Sequence, residues 1–400
     1  MPDQPLDHVI QQLLAEGRLS RRRFIGRVGA AGFAVSSASA LLSACGGTQG
    51  TQQGAPTNVD VTHEKVPLDE LNFTNWPLYI DKATIPDFER EFDATVNYTE
   101  EINDNNEFFG KVREPLQRDQ PIDRDIVVLT DPMAARWVRS GYTEPIDKGN
   151  VPNVTENLAV NLRSPAFDPE RNFTVPWQSG MDGIGYNRKE TGREITSLND
   201  LFDPAFKGRV SMLNDFHDSA SLVLQLNGID TEDATLEDVL AAIQRIEEES
   251  AKGQIRRFTG NDYTTDLTNG NLAMAVAYSG DMIQLKADNP DLDFVIPEEG
   301  GVLWTDNMMI PQGAENPYAA EVMMNYVYNP EIAAQIAAYV NYVTPVTAAK
   351  DLLAEDDPDI ANDPLIFPDQ ATLANLHPYP NLTPEEEREA EEAFAVVAGA

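Results

Sequence analysis

Along most of the 400-residue chain, short β-rich apolar runs alternate with stretches whose apolar residues recur at helical spacing. Leu71-Asn72-Phe73-Thr74-Asn75 reads as a strand that runs into a loop at Trp76-Pro77. A helix is expected over 84–92, with Thr84 as its N-cap and Pro86 in the first turn, where a missing N–H does no harm. Val96-Asn97-Tyr98 reads as extended. Asp125-Ile126-Val127-Val128-Leu129 is apolar without interruption after its first residue, the pattern of a strand covered on both faces. Leu272-Ala273-Met274-Ala275-Val276-Ala277-Tyr278 and Phe294-Val295-Ile296 read likewise. Thr235-Leu236-Glu237-Asp238 opens an amphipathic helix, with Leu236, Val239, Leu240, Ile243 and Ile246 on one face. Residues 318–339 form another helical stretch broken at Asn329-Pro330, and Thr383-Pro384-Glu385-Glu386 caps a charged terminal helix. This alternation predicts an α/β fold with central β-sheets flanked by helices.

The N-terminus departs from the pattern and is set aside from the fold. Ser20-Arg21-Arg22-Arg23-Phe24-Ile25 resembles a twin-arginine export motif, and a weakly apolar run follows at 28–42. That run is shorter than the ~20 apolar residues a helix needs to span a bilayer. It ends at Leu42-Ser43-Ala44-Cys45, which resembles a lipobox whose cysteine is acylated after cleavage. Residues 1–44 are therefore expected to be a removed export signal and Cys45 a lipid anchor outside the cytoplasm. The Gly/Thr/Gln-rich stretch 45–66 reads as a flexible tether, because such composition buries too little surface to offset chain entropy. No later apolar run approaches spanning length, and there is no internal repeat.

Composition narrows the function further. The chain has 66 acidic against 29 basic residues, a net charge of −37. Loss of 1–44 removes five basic and three acidic residues, leaving about −39. Such a field repels nucleic acid and anionic lipid and concentrates cations. Cys45 is the only cysteine, so no intrachain disulfide can form. Ser211, His217, Ser221 and neighbouring acids do not make a hydrolase, because no Gly-x-Ser-x-Gly turn accompanies them. The histidines at 8, 63, 217 and 377 show no metal-binding spacing. Neither an enzyme nor a cofactor is expected.

From Leu71 onward the order of motifs resembles the spermidine/putrescine-binding proteins of ABC importers. The resemblance rests on Asn75-Trp76-x-x-Tyr79, Asp125-Ile126-Val127-Val128, Tyr142-x-x-Pro145-Ile146-Asp147, Val175-Pro176-Trp177, Gly183-Ile184-Gly185-Tyr186-Asn187 and Phe206-Lys207-Gly208. It continues through Glu299-Gly300-Gly301-x-x-Trp304-x-Asp306, the most specific of these strings, to Tyr342-x-Thr344-Pro345. It implies a two-lobed periplasmic-binding-protein-like fold of type II, each lobe a central β-sheet flanked by helices, with the ligand in the cleft between them. By analogy the first lobe is 71–181 plus 306–350, and the second is 184–303 plus 354–400. The partners implied are a polyamine or similar small cationic ligand and the permease subunits of the importer, with the protein itself a monomer. The alternative is another cationic solute in the same architecture, such as an opine or a cationic amino acid derivative.

A polyamine is a string of methylenes carrying ammonium groups, so its receptor needs carboxylates for the charges and aromatic faces for charge and methylene alike. The resemblance carries over to Trp76 and Tyr79 in the first loop and to Asp215 and Asp218 as a pair of acids for one ammonium end. It also covers Tyr278 where the family places a Trp, Trp304 and Asp306 at the internal amine, and Tyr342 as a last aromatic wall. Without the motif context Trp76 and Trp304 read as core residues, and Asp215 and Asp218 as loop caps. Trp177 reads as structural in either case. Two departures add acids: Asp131 in Thr130-Asp131-Pro132-Met133, where the family pattern is Ser-Thr-Tyr-Tyr, and Asp182 beside the expected hinge. The site is thus expected to be more acidic, and less walled by aromatics, than the family pattern.

Overall fold

The computed structural model describes Val59 and residues 61–399. The export signal 1–44, the anchor Cys45 and the tether up to residue 58 lie outside the described residues.

Eleven strands form one mixed sheet. In chain order they are β1 (Glu70–Asn75), β2 (Thr95–Glu100), β3 (Ile126–Thr130), β4 (Thr143–Glu144), β5 (Val175–Asn187), β6 (Val210–Leu213), β7 (Ile255–Thr259), β8 (Met274–Tyr278), β9 (Leu292–Val295), β10 (Gly301–Pro311) and β11 (Leu376–His377). The order across the sheet is β2-β1-β3-β10-β5-β8-β6-β7, with β4 and β11 paired to β10 and β9 to β5. β1, β2 and β3 are parallel, as are β6, β7 and β8, while β10 and β5 run antiparallel between the two groups. Ile126, Val127, Val128 and Leu129 of β3 are fully buried, as expected of an uninterrupted apolar strand.

Two hydrophobic cores sit on this sheet. Phe73, Val127, Trp137, Met309 and Ile336 belong to the first, and Ile184, Met212, Leu222, Val276 and Phe394 to the second. β5 gives Val175 and Trp177 to the first core and Ile184 and Tyr186 to the second. β10 gives Val302 to the second and Met308, Met309 and Ile310 to the first. The two lobes are therefore not built on separate sheets, as expected, but share one. β5 and β10 cross the divide together, paired from Asp182↔Val302 to Val175↔Met308 with one register shift between Thr305 and Asn307.

Helices cover the sheet: α1 (Thr84–Phe92), α2 (Asn105–Leu116), α3 (Asp131–Ser140), α4 (Phe216–Leu226), α5 (Leu236–Ala251), α6 (Ser279–Asp288) and the terminal α7 (Pro384–Ala398). Thr235 and Thr383 cap α5 and α7 with full capping boxes, to Asp238 and Glu386. Thr84 is not the cap of α1. Ala83 holds that place without a side-chain bond, and the Thr84 hydroxyl turns back to Asp81 at 3.4 Å. Two expected boundaries also shift. Residues 354–367 bring Ile360, Ala361 and Phe367 to the first core, not the second. The end of the expected tether is fastened to the first lobe: His63 donates its N–H to Asp147 Oδ2 (3.2 Å), and His63 Nδ1 lies 2.7 Å from the buried Glu321 Oε1. Among the described residues no helix is long and apolar enough to cross a membrane.

Candidate ligand-binding site

Where β5 and β10 cross between the cores, Trp304 lies on Gly180, its partner across the ladder. A Cβ at Gly180 would stand 2.3 Å from Trp304 Cζ2, so only glycine lets the indole lie against the strand. The indole N–H donates to Asp182 Oδ1 at 2.6 Å, which fixes the ring's rotation. Asp306 follows two residues later, on the same face of β10 as a strand's period of two requires. Tyr278, at the end of β8, meets Trp304 edge-on with ring centroids 5.4 Å apart. Tyr342 lies 5.7 Å from Trp304 and 4.9 Å from Tyr79. Trp76 is held by a bond from its indole N–H to the Val128 carbonyl at 3.0 Å.

These groups border a partly open cavity lined by Trp76, Pro77, Tyr79, Thr130, Asp218, Asn261, Tyr278, Asp281, Trp304, Asp306, Tyr342 and Tyr379. It draws on both lobes: Trp76, Tyr79, Trp304 and Tyr342 belong to the first core, while Asp218 and Asp281 stand on α4 and α6, whose apolar residues pack in the second. Six aromatic rings and three carboxyl groups face the space, and no Lys or Arg is among the lining residues.

The carboxyl groups are deeply buried, and that dominates their chemistry. Burial pushes Asp306 up to about 7, with the Thr130 and Tyr79 hydroxyls offsetting part of the effect, and its Oδ1 has no hydrogen-bond partner. Asp218 is raised well above the usual carboxylate range, by burial first and then by Asp182 and Asp215; it accepts from Tyr278 Oη at 3.3 Å and from Tyr379 Oη. Asp182 is pushed up to about 8 by burial, and its Oδ2 is also without a partner. Such groups hold a proton, or need a cation, at neutral pH.

Of the ten residues expected at the site, the structure brings Trp76, Tyr79, Asp218, Tyr278, Trp304, Asp306 and Tyr342 to the cavity wall. Asp182 stands behind Trp304 and is not a lining residue. Asp131 is not one either. It accepts from Asn307 Nδ2 at 2.7 Å, and the buried Arg171, bonded to Asn307 Oδ1 at 2.7 Å, supplies a nearby internal countercharge. Asp215 is likewise drawn aside. It caps α4 through the His217 N–H (3.0 Å) and pairs with His217 Nδ1 at 2.7 Å. Burial alone would lower the His217 pKa, but Asp215 and then Glu387 carry it up to about 10. The structure adds Asp281, Asn261 and Tyr379, which no motif had marked. Asp281 was visible only as the third residue after Tyr278, at a helix start, and Tyr379 lies 37 positions beyond the last motif aromatic, Tyr342.

Two α/β lobes joined by crossing strands, with a cavity between their cores, define a solute-binding protein of the periplasmic-binding type II class. The family model described as bacterial extracellular solute-binding protein matches residues 83–368, and the chain belongs to that family. Its members bind substrates for ABC transporters and are not enzymes. The chain is 26% identical to the spermidine/putrescine-binding periplasmic protein of Escherichia coli K12 over 306 residues, covering 76% of this chain and 85% of that one. It is 28% identical to the putrescine-binding periplasmic protein SpuD of Pseudomonas aeruginosa over 337 residues, 80% of this chain and 89% of the relative. Among solved structures, a Listeria monocytogenes ABC-transporter protein assigned to spermidine/putrescine superposes with a TM-score of 0.72 at 28% identity, over 82% of this chain and 98% of the other. The Agrobacterium tumefaciens protein AgtB, solved with agropinic acid, shares the fold at a TM-score of 0.65 and 19% identity, over 82% and 99% of the two chains.

Proposed function

We propose that the protein is the extracytoplasmic capture subunit of a polyamine ABC importer, anchored through a lipid on Cys45. The observation that carries this is the cavity's composition: three carboxyl groups and six aromatic rings, with no basic side chain among the lining residues. Asp218 and Asp306 supply charge-assisted acceptors for ammonium groups. Trp304, Tyr278 and Tyr342 offer faces for cation–π attraction and cover for methylenes. The names of the E. coli and P. aeruginosa relatives point the same way. An anionic opine is disfavoured, since a buried ligand carboxylate would meet three carboxyl groups and no guanidinium.

In this reading the ligand enters between open lobes, its ammonium groups replace the protons on the buried acids, and the lobes close by bending at the β5–β10 crossing. The closed form then docks on a permease. Titration calorimetry and thermal melts with putrescine, spermidine and spermine test the ligand class: saturable heat and a rise in Tm are expected with at least one, and silence with all three refutes the polyamine reading. For the anchor, Cys45→Ser is expected to move the protein from the membrane to the soluble envelope fraction. A variant that stays with membranes refutes lipidation at this residue.

A further inference from the structure

Asp306 reaches the cavity from a place where its strand pairing is interrupted. β10 faces β5 at Thr305↔Ser179 and again at Asn307↔Pro176, so Trp177 and Gln178 both stand opposite Asp306 and it has no paired residue on that side. On the other side β3 pairs with it, at Thr130. Its neighbour Asn307 is fully buried and lies on the opposite face of β10. The Asn307 amide is bonded at both ends: Oδ1 accepts from Arg171 Nη1 and Nδ2 donates to Asp131 Oδ1, each at 2.7 Å. Arg171 is anchored in turn. Its Nη1 also donates to Thr174 Oγ1 and its Nε to the Leu162 carbonyl, both at 2.8 Å. It does so from the left-handed region, at φ 50°, which a residue other than glycine keeps only when its surroundings hold it there. Asp131 opens α3 directly after Thr130, the residue paired with Asp306.

We propose that Asp131 and Asn307, backed by Arg171, are positioning residues that aim the Asp306 carboxyl into the cavity. This rests on the cationic-ligand reading above and names what places one of the acids that reading uses. The bond from Asn307 to Asp131 runs from the residue after Asp306 to the residue after Thr130, so it straddles the Asp306–Thr130 pair and ties β10 to the start of α3. It does so where the register shift removes support from β5. The Asp306 side chain itself is bonded only to the hydroxyls of Thr130 and Tyr79, and its Oδ1 has no partner. Arg171 makes the clamp tenable in the interior, because its charge offsets the burial that raises the Asp131 pKa. Asp131 therefore serves as an acceptor for Asn307 and not as a charge for the ligand, in keeping with its place off the cavity wall.

The test is calorimetry with putrescine and spermidine on the wild type, D131A, D131N and D306N, with thermal melts of each. D131A removes the acceptor and is expected to weaken binding about tenfold, the scale of one misplaced charge-assisted hydrogen bond. D131N keeps an oxygen for the Asn307 amide and is expected to stay within about threefold of the wild type. Equal losses in the two variants mean that Asp131 serves the ligand through its charge, and no loss in either means that the clamp does not act on binding; both results overturn the proposal. Added to D306N and read at raised ligand concentration, D131A is expected to weaken binding by less than about twofold more, since no carboxylate remains to be aimed. A further loss of about tenfold there overturns the proposal. Should D131A fail to fold, Asn307→Ser decides the matter, because its hydroxyl is too short to bridge Arg171 and Asp131: binding about tenfold weaker supports the proposal and unchanged affinity overturns it. A wild type that binds neither polyamine refutes the parent reading as well, whereas a binding wild type with the wrong variant pattern refutes this assignment alone.

Discussion

Trp304 illustrates how much of the site depends on single contacts. Its ring lies on Gly180 and its N–H ends on Asp182, so three residues fix one aromatic face. Gly180→Ala would place a methyl 2.3 Å from the ring and displace it. Loss of one aligned aromatic face is expected to weaken cation binding by roughly twofold to thirtyfold. Calorimetry beside indole fluorescence checks this; a displaced indole with wild-type affinity would mean that Trp304 is not a ligand face. Trp304 and Asp306 were legible in the sequence through the Glu299-Gly300-Gly301-x-x-Trp304-x-Asp306 string that carries the family resemblance. Asp215 and Asp281 were not. Each is an acid at a helix start, and although His217 follows Asp215 by two positions, only the fold shows that this pair lies off the cavity wall while Asp281 lies on it.

At the scale of elements the sequence was informative wherever a signal is local. The capping boxes at Thr235 and Thr383 depend on residues three apart, and both form. The breaker at Asn329-Pro330 separates helices at Pro317–Val327 and Pro330–Val340 as expected. The length of β5 was not legible. Its thirteen residues include three glycines and Asp182, beside the expected hinge, yet they stay extended because β10, β8 and β9 pair with them. The two-residue strands β4 and β11 exist only through β10 and carry no pattern of their own. Ion pairs between α3 and α7, Arg136 to Glu391 and Arg139 to Glu387, each 2.8 Å, join the two lobes outside the cavity. Their partners are some 250 residues apart in the chain, a distance no local pattern spans.

The whole molecule couples these parts through protons. Asp182 is held at about 8 and Asp306 at about 7, against 3.8 for an ordinary aspartate, so the folded protein binds more protons than the unfolded chain between about pH 4 and 8. The stability these protons confer is present at low pH and is lost as pH rises through that window. His217, raised from 6.5 to about 10, extends the decline in the same direction. A cationic ligand favours the ionised acids. The ligand-free Tm is therefore expected to fall from pH 5 to 8, while the gain in Tm on adding polyamine grows over the same range. Melts at constant ionic strength measure both, and a ligand-induced gain that shrinks toward pH 8 would contradict the assignment of the buried acids.

The sequence by itself determined the α/β class, the ordered motifs, the helix starts and a strongly acidic chain. Each of these is written in neighbouring residues or in composition. Tertiary structure decided which acids face the cavity, because that depends on where countercharges fall. Arg171 and His217 draw Asp131 and Asp215 away from the wall, whereas Asp281 meets only neutral donors there. Charge pairing in a low-dielectric interior is fixed by contact distance. Apart from the local Asp215–His217 pair, these contacts join residues far apart in the chain and form only when the lobes pack.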